Sequence, residues 1–427
     1  MARFKADLHV HSRSARGVIR EMSLLEMAVW SSAKGLDLIG TGDCLHPERQ
    51  QEIDKFLGRD ESGFLRSLKH PQLRFVPTTE VAGFLSQGKS GTRVHFLVVL
   101  PGWCDLRKLA DSLGRPENFP QGVPGYPKSA EELANQICGL VPDSIIIPTH
   151  IFHPENSLFS PPADHAGLEG CFGRMAGEIR ALETGLSADP GGCWRVKSLD
   201  GKTLVSFSDA RCLRELAREF SIWEGEFSYP SLRAALLGQK GGSVFATVEY
   251  CSEMGHFFFN GHRECKIMKS PVEAKLEGNR CPVCREWLSV GTLQRILQLA
   301  DRPAEELGLV QECGWIQSRR LPCVPYRKML PLWEIIAATY GIKGQESQTI
   351  GKIYQQALGQ GLTEISILLD LEESDLRSLI PAPLAEAIQR VRENRYRIQP
   401  GFDGVRGKLI LFDDQEMEQF RQMILFD

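Results

Sequence analysis

Leu36-Asp37-Leu38-Ile39-Gly40-Thr41-Gly42-Asp43 is a short apolar run that stops on a carboxylate. Ahead of it, Ser23-Leu24-Leu25-Glu26 has the spacing of a capping box and predicts a helix that Gly35 closes. The local order is therefore helix, tight turn, buried strand, acid. That order recurs along the first half of the chain. Leu73 to Pro77, Val94 to Leu100, Ser144 to Thr149 and Thr203 to Ser208 read as further strands, and Ser129 with Glu132 caps a helix before the strand at Ser144. Such alternation up to about residue 225 predicts an α/β fold on a parallel sheet, open or closed into a barrel. Four strands end directly before a polar residue: Asp43, Glu80, His150 and Asp209. In α/β folds the carboxyl ends of strands are where function collects.

At 427 residues the chain is too long for one ordinary core, and two or three domains are expected. Residues 245–290 change texture, with Cys, His, Gly and Phe but little periodicity. From about 292 onward the chain reads as short helices broken by Pro and Gly, including Leu332 to Tyr340, Ile350 to Leu358 and Leu384 to Arg395. No run approaches the roughly 18 apolar residues of a membrane span, and Met1 to Asp7 has no apolar run of a secretion signal, so a cytoplasmic protein is expected. The 12 cysteines are mostly scattered singly, which fits reduced thiols. A net charge of −4 argues against coating nucleic acid indiscriminately but leaves room for a local basic track. Arg319, Arg320, Arg327 and Lys328 form one such stretch. Arg390, Arg392, Arg395, Arg397, Arg406 and Lys408 form another. A solvated face is the competing reading of each.

The chemistry concentrates in Asp7-Leu8-His9-Val10-His11. Alternate residues of a strand point the same way, so His9 and His11 project toward one point. Asp43 and His46 follow one strand, Glu80 another; His95 lies within a third, His150 ends a fourth, and Asp209 ends a fifth. Histidine and carboxylate together suit two or three divalent ions (Zn, Mn or Mg), which activate water and neutralise phosphoryl oxygens. Asp43, Asp209 and His150 are the candidate catalytic residues.

A second module is His262-Arg263-Glu264-Cys265 followed by Cys281-Pro282-Val283-Cys284. Two close pairs on tight turns are what one four-coordinate structural zinc needs. His256 is a reserve ligand.

Asp7 to Ser12, Gly42-Asp43, Thr79-Glu80, His95, Pro148-Thr149-His150 and Ser208-Asp209 resemble the ordered motifs of the PHP (polymerase and histidinol phosphatase) domain. The resemblance implies a distorted seven-stranded (βα) barrel with metal ligands at His9, His11, Asp43, His46, Glu80, His95, His150 and Asp209. One position departs: the last motif normally carries a histidine where this chain has Arg211. An arginine has no lone pair to offer a cation.

Within that group the chain resembles endonuclease Q. The likeness is carried by Ala181 to Pro190, Asn260 to Cys284, Leu288 to Arg302, Leu330 to Ile335 and Pro400 to Gly404. It implies cleavage of DNA 5′ to deaminated bases (uracil, hypoxanthine, xanthine) or abasic sites. It also implies a PHP domain over 1–230, a zinc-binding module over 240–300, a helical DNA-binding domain over 301–412 and a tail over 413–427. The turn from Glu183 through Ser187 to Asp189, with Arg211, is the candidate substrate contact. A PHP-type small-molecule phosphatase and a catalytically impaired binder of damaged DNA are the alternatives. Gln422-Met423-Ile424-Leu425-Phe426 resembles the peptide that docks bacterial repair proteins on the DNA sliding clamp, while a tail packed on its own domain is the other reading.

Overall fold

Helix Leu24–Lys34 begins where Ser23 accepts a hydrogen bond from the Glu26 backbone, and it ends on Gly35 in a left-handed conformation. At Ser129 both halves of the capping box form, opening helix Ala130–Leu140. The local signals thus act as the sequence predicts. The structure is a computed structural model that describes residues 2–13, 15, 21–85, 93–114, 116, 123–160, 167–342, 347–413 and 415–416. The segment Gln422 to Phe426 lies outside the described residues.

The architecture is mixed α/β. The principal sheet has ten strands. From one edge they run Leu309–Glu312, Trp315–Ser318, Tyr326–Met329, Gly242–Tyr250 and Phe220–Gly225, then Ala2–Asp7, Leu38–Gly40, Arg74–Val76, Leu65–Ser67 and Leu57–Arg59. A four-stranded sheet orders Gly125–Ser129, Thr78–Phe84, Arg93–Val99 and Ile145–Pro148, and Ala181–Glu183 pairs with Thr203–Val205.

Two expectations need correcting. The sheets are not purely parallel: Ala2–Asp7 runs parallel to Leu38–Gly40 but antiparallel to Phe220–Gly225, and Thr78–Phe84 is antiparallel to Arg93–Val99. The physical reason in the last case is the short connection from Phe84 to Arg93, which cannot hold the helical crossover a parallel pair needs. Nor do the ladders among the described residues close into a ring of seven strands. Single backbone bonds do link the ladder ends, as from Cys44 N to Thr78 O and from Ile151 N to Glu183 O.

Ile145, Ile146 and Ile147 are all buried, which explains why that strand is a continuous apolar run rather than an alternating one. The helices expected at Leu332 to Tyr340, Ile350 to Leu358 and Leu384 to Arg395 are found as Leu332–Tyr340, Gln348–Ala357 and Ala382–Arg392. The same C-terminal region also supplies three strands to the principal sheet, because Tyr326–Met329 pairs in parallel with Gly242–Tyr250. A second apolar core joins the two regions, with Leu36, Phe220 and Val248 packed among Leu332, Ile336, Leu384 and Ile388. Through it runs a fully buried ion pair, Lys34 Nζ to Glu364 Oε2 at 2.7 Å. Tyr354 donates to the same carboxylate, and Lys34 also donates to the Arg214 carbonyl.

The second basic stretch belongs largely to this scaffold. Arg392 donates to the carbonyls of Ile367, Leu368 and Leu371, Arg406 binds Tyr250 and Glu334, and Arg390 binds Glu386 and Glu416. These guanidiniums are spent on ending helices and pairing acids. No helix among the described residues is long and apolar enough to cross a membrane, and none of the 12 cysteines is in a disulfide.

Candidate metal centre and adjoining cavity

Asp43, His150 and Asp209 each follow a strand end, and each has a left-handed backbone, with φ of +45°, +34° and +45°. Such conformations cost a non-glycine residue about 1–3 kcal/mol and cluster at functional sites. The neighbourhood holds them there. Arg218, itself buried, donates to the carbonyls of Ser208 and Asp209 at 2.8 and 3.1 Å. Asp7 accepts from the backbone of Ser208 and Ala217, both at 3.0 Å. Gly185 (φ +77°) packs against His150 so closely that a Cβ would lie 2.6 Å from the His150 Cα.

Six of the eight expected ligands gather into two sets. His9, His11 and Asp209 form one, Glu80, His95 and His150 the other, with the donor atoms of each set within 4.8 Å of one another. His11 Nε2 lies 2.9 Å from Asp209 Oδ1. His95 Nδ1 and His150 Nε2 lie 3.4 and 3.2 Å from Glu80 Oε1. Glu80 stands between the sets, 3.6 Å from His9 Nε2 through one oxygen and 3.7 Å from His11 Nε2 through the other. Asp43 reaches the cluster through His11 Nδ1 at 3.3 Å and accepts from Ser12 N at 2.5 Å. His46 is in neither set; its Nδ1 caps helix Pro47–Phe56 by accepting from Glu48 N.

The electrostatics favour cations. Burial opposes ionisation of Asp209, yet Arg211 and the hydrogen bond from His11 hold it well below the usual carboxylate range. Glu80 is likewise well below, against its burial, through His95, His9 and His150. Burial also disfavours a charged His9, but Glu183 and Glu80 raise its affinity for a proton well above normal. A field that draws a proton to these rings draws a divalent ion as well. The buried Nε2 of His9 has no hydrogen-bond partner and faces Glu80 and Asp209. An orphaned buried nitrogen among carboxylates fits a metal ligand.

The turn after Ala181–Glu183 borders the cluster. With His150, His153, Phe257 and Asp209 it encloses a cavity of about 100 Å³. Leu186 and Ser187 line the cavity. Glu183 is also at its wall, but its carboxylate is turned to His9 Nδ1 and to the backbone N–H of His150. Asp189 points elsewhere: it caps the short helix Pro190–Cys193 through Gly192 N and pairs with Lys328 at 3.2 Å. Arg211 lies beside Asp209. Sequence reading missed His153, whose ring stacks edge-on to Phe257 and meets His150 at 5.2 Å. Its one signal was the position three residues after His150.

His262, Cys265, Cys281 and Cys284 also converge, with ligand atoms within 4.8 Å of one another. Hairpin Asn260–His262 with Ile267–Lys269 carries the first pair. Burial works against ionising Cys281, but the backbone N–H groups of Cys284 and Val283 outweigh it and bring the thiol to about 6, toward the thiolate a metal needs. His256 is apart from this group.

Residues 331–395 match the MJ0043 C-terminal domain family. The chain is 24% identical over 424 residues to the uncharacterized protein YqxK of Bacillus subtilis, covering 96% of this chain and all of that one. It is 26% identical over 254 residues to the uncharacterized protein MJ0043 of Methanocaldococcus jannaschii, covering 58% of this chain and 30% of that one. Two solved structures match end to end at 26% identity. One is the lesion-specific endonuclease PfuEndoQ of Pyrococcus furiosus, at a TM-score of 0.79 over 98% of this chain and 99% of that one. The other is endonuclease Q in complex with a 27-mer duplex carrying an abasic lesion at the active site, at 0.82 over 98% of both chains. Its fold is thus matched along almost its whole length by endonuclease Q structures, in agreement with the resemblance that the sequence carries.

Proposed function

We propose that this chain is a DNA repair endonuclease that hydrolyses the backbone 5′ to a deaminated base (uracil, hypoxanthine or xanthine) or an abasic site. One observation carries the reading: two three-ligand sets, sharing a boundary at Glu80, open beside a cavity walled by the 183–189 turn. Held by His9, His11, Asp209, Glu80, His95 and His150, divalent ions would supply a water acidic enough to attack near neutral pH and positive charge for the phosphoryl oxygens. The chain's own residues do the positioning. Glu183 orients His9, Arg218 and Asp7 fix the Asp209 turn, and Gly185 lets the cavity wall approach His150.

A deaminated base differs from its parent at the pairing edge, which a duplex conceals. Reading it requires extruding the nucleotide, at a cost of a few kcal/mol that is smaller at a mismatch. The cavity offers the apolar walls of Leu186 and Phe257 and the hydroxyl of Ser187 for such a base. A small-molecule phosphatase would need neither the zinc module, whose preceding turn places Phe257 against His153, nor the helical region. The module's zinc at His262, Cys265, Cys281 and Cys284 is read as structural. Gln422 to Phe426 is read as a clamp-docking peptide, tested by clamp pull-down with and without residues 422–427.

The decisive experiment incubates the protein with uracil-containing, abasic and undamaged oligonucleotides, with manganese or magnesium. Cutting confined to the damaged strands is expected. Binding without cutting favours a damage binder, and release of phosphate from small esters alone favours the phosphatase.

A further inference from the structure

Arg211 stands at the edge of the first ligand set. Its Nη2 lies 3.2 Å from His11 Nε2 and 3.4 Å from Asp209 Oδ1. Those two atoms belong to the first ligand set. The position is built, not incidental. The backbone N–H of Arg211 donates to Glu215 Oε2 at 3.0 Å, and the other Glu215 oxygen pairs with Arg218, which grips the Asp209 turn. The charges of Asp209, Glu80, Asp43 and Glu215 all act favourably on the guanidinium. The side chain is 37% exposed.

The PHP resemblance implies as many as three ions. The residues here fit two, one for each three-ligand set. They do not fit a third. The remaining carboxylate, Asp43, faces His11 at 3.3 Å and the Ser12 backbone, and the nearby cation is permanently charged and has no lone pair.

We propose that Arg211 is a built-in cation standing in for one divalent ion. The site takes two ions, and the guanidinium also holds a non-bridging oxygen of the phosphate to be cut. A guanidinium suits that oxygen, because it gives charge-assisted hydrogen bonds and cannot lose its charge. The metal count stands apart from the reaction, whereas the phosphate contact rests on the nuclease reading above.

The test is equilibrium dialysis of the full chain against excess manganese, with bound manganese and zinc counted by elemental analysis. Two manganese ions per chain are expected for the wild type and for Arg211→Lys, and three for Arg211→His. Three in the wild type, or two in a folded Arg211→His, overturns the proposal. No manganese in the wild type overturns both this proposal and the metallonuclease reading. Two ions without cutting of any damaged oligonucleotide removes the nuclease reading and leaves the count intact. Calorimetric titration of the manganese-loaded protein with inorganic phosphate tests the contact. Arg211→Ala should weaken phosphate at least tenfold, and unchanged affinity overturns the anion role.

Discussion

Both carboxylate oxygens of Glu183 lie 3.0 Å from Nδ1 of His9, which leaves Nε2 as the ring atom turned toward Glu80 and Asp209. A carboxylate behind a ligand histidine fixes its tautomer and raises its basicity, and removing such a partner costs about 10–100-fold in metal affinity. Glu183→Gln should therefore weaken manganese binding by about that factor while the chain stays folded. Dialysis against graded manganese measures it, and an unchanged binding curve would return Glu183 to the substrate role its sequence position suggests.

Asp209 belongs to one ligand set and carries strained backbone at a strand end. Asp209→Asn removes the charge with little change in shape. Cleavage should fall to background while affinity for an abasic duplex stays within about threefold, since phosphate contacts elsewhere dominate affinity. Undiminished cleavage would place the reaction away from this cluster.

The four-ligand group predicts one tightly held zinc per chain. Its small core of Ala274, Cys281 and Leu288 is too slight to fold without metal. Cys281→Ser should lower the zinc count by one and expose the 260–290 segment to protease. Equal zinc in mutant and wild type would show that the ion is held elsewhere.

Glu249 gives a pH signature. Burial is the main influence on its carboxyl and carries it from about 4.5 up to about 7, against hydrogen bonds from Ser206, Thr247 and Thr184. The folded chain therefore keeps this proton to a higher pH than the unfolded chain does. Between about 4.5 and 7 it binds more protons, so this group's contribution to stability falls as pH rises through that window. Glu249→Gln keeps the shape and removes the titration. By urea denaturation it should match the wild type near pH 5 and exceed it by roughly 2–3 kcal/mol at pH 8, since each tenfold difference in proton affinity between the folded and unfolded chain is worth about 1.4 kcal/mol. A mutant less stable at pH 8 than the wild type would contradict the sign.

Much of this was legible in the sequence because strand ends are local. An apolar run that stops on Asp43, His150 or Asp209 names both the strand and the polar residue at its mouth. Long-range roles were not legible. That Glu183 turns to His9, or that His46 caps its own helix, depends on side-chain direction, which spacing does not fix. Strands Leu309–Glu312 and Trp315–Ser318 were missed for a related reason. The first is a largely exposed edge strand and the second its half-buried inner neighbour, neither has clean alternation, and pairing with the sheet makes them strands rather than their own propensity. Arg392 and Arg406 read as a surface track until the carbonyls and acids they bind came into view.

The register of the first strand bears on how the chain is made. Ala2 pairs with Gly225, and Lys34 meets Glu364, so partners of the first few dozen residues are synthesised far later. On a ribosome the opening strand would have only Leu38–Gly40 beside it while its other edge waits. An unpaired edge is open to wrong partners, and non-local pairings form slowly. The Asp209 turn emerges late, and the carboxylate that neutralises Lys34 later still. A chain made only as far as strand Ile145–Pro148 would thus carry His9 and His11 without the Glu183 and Asp209 that complete their surroundings. The ligand sets would be complete only once the Asp209 turn is made.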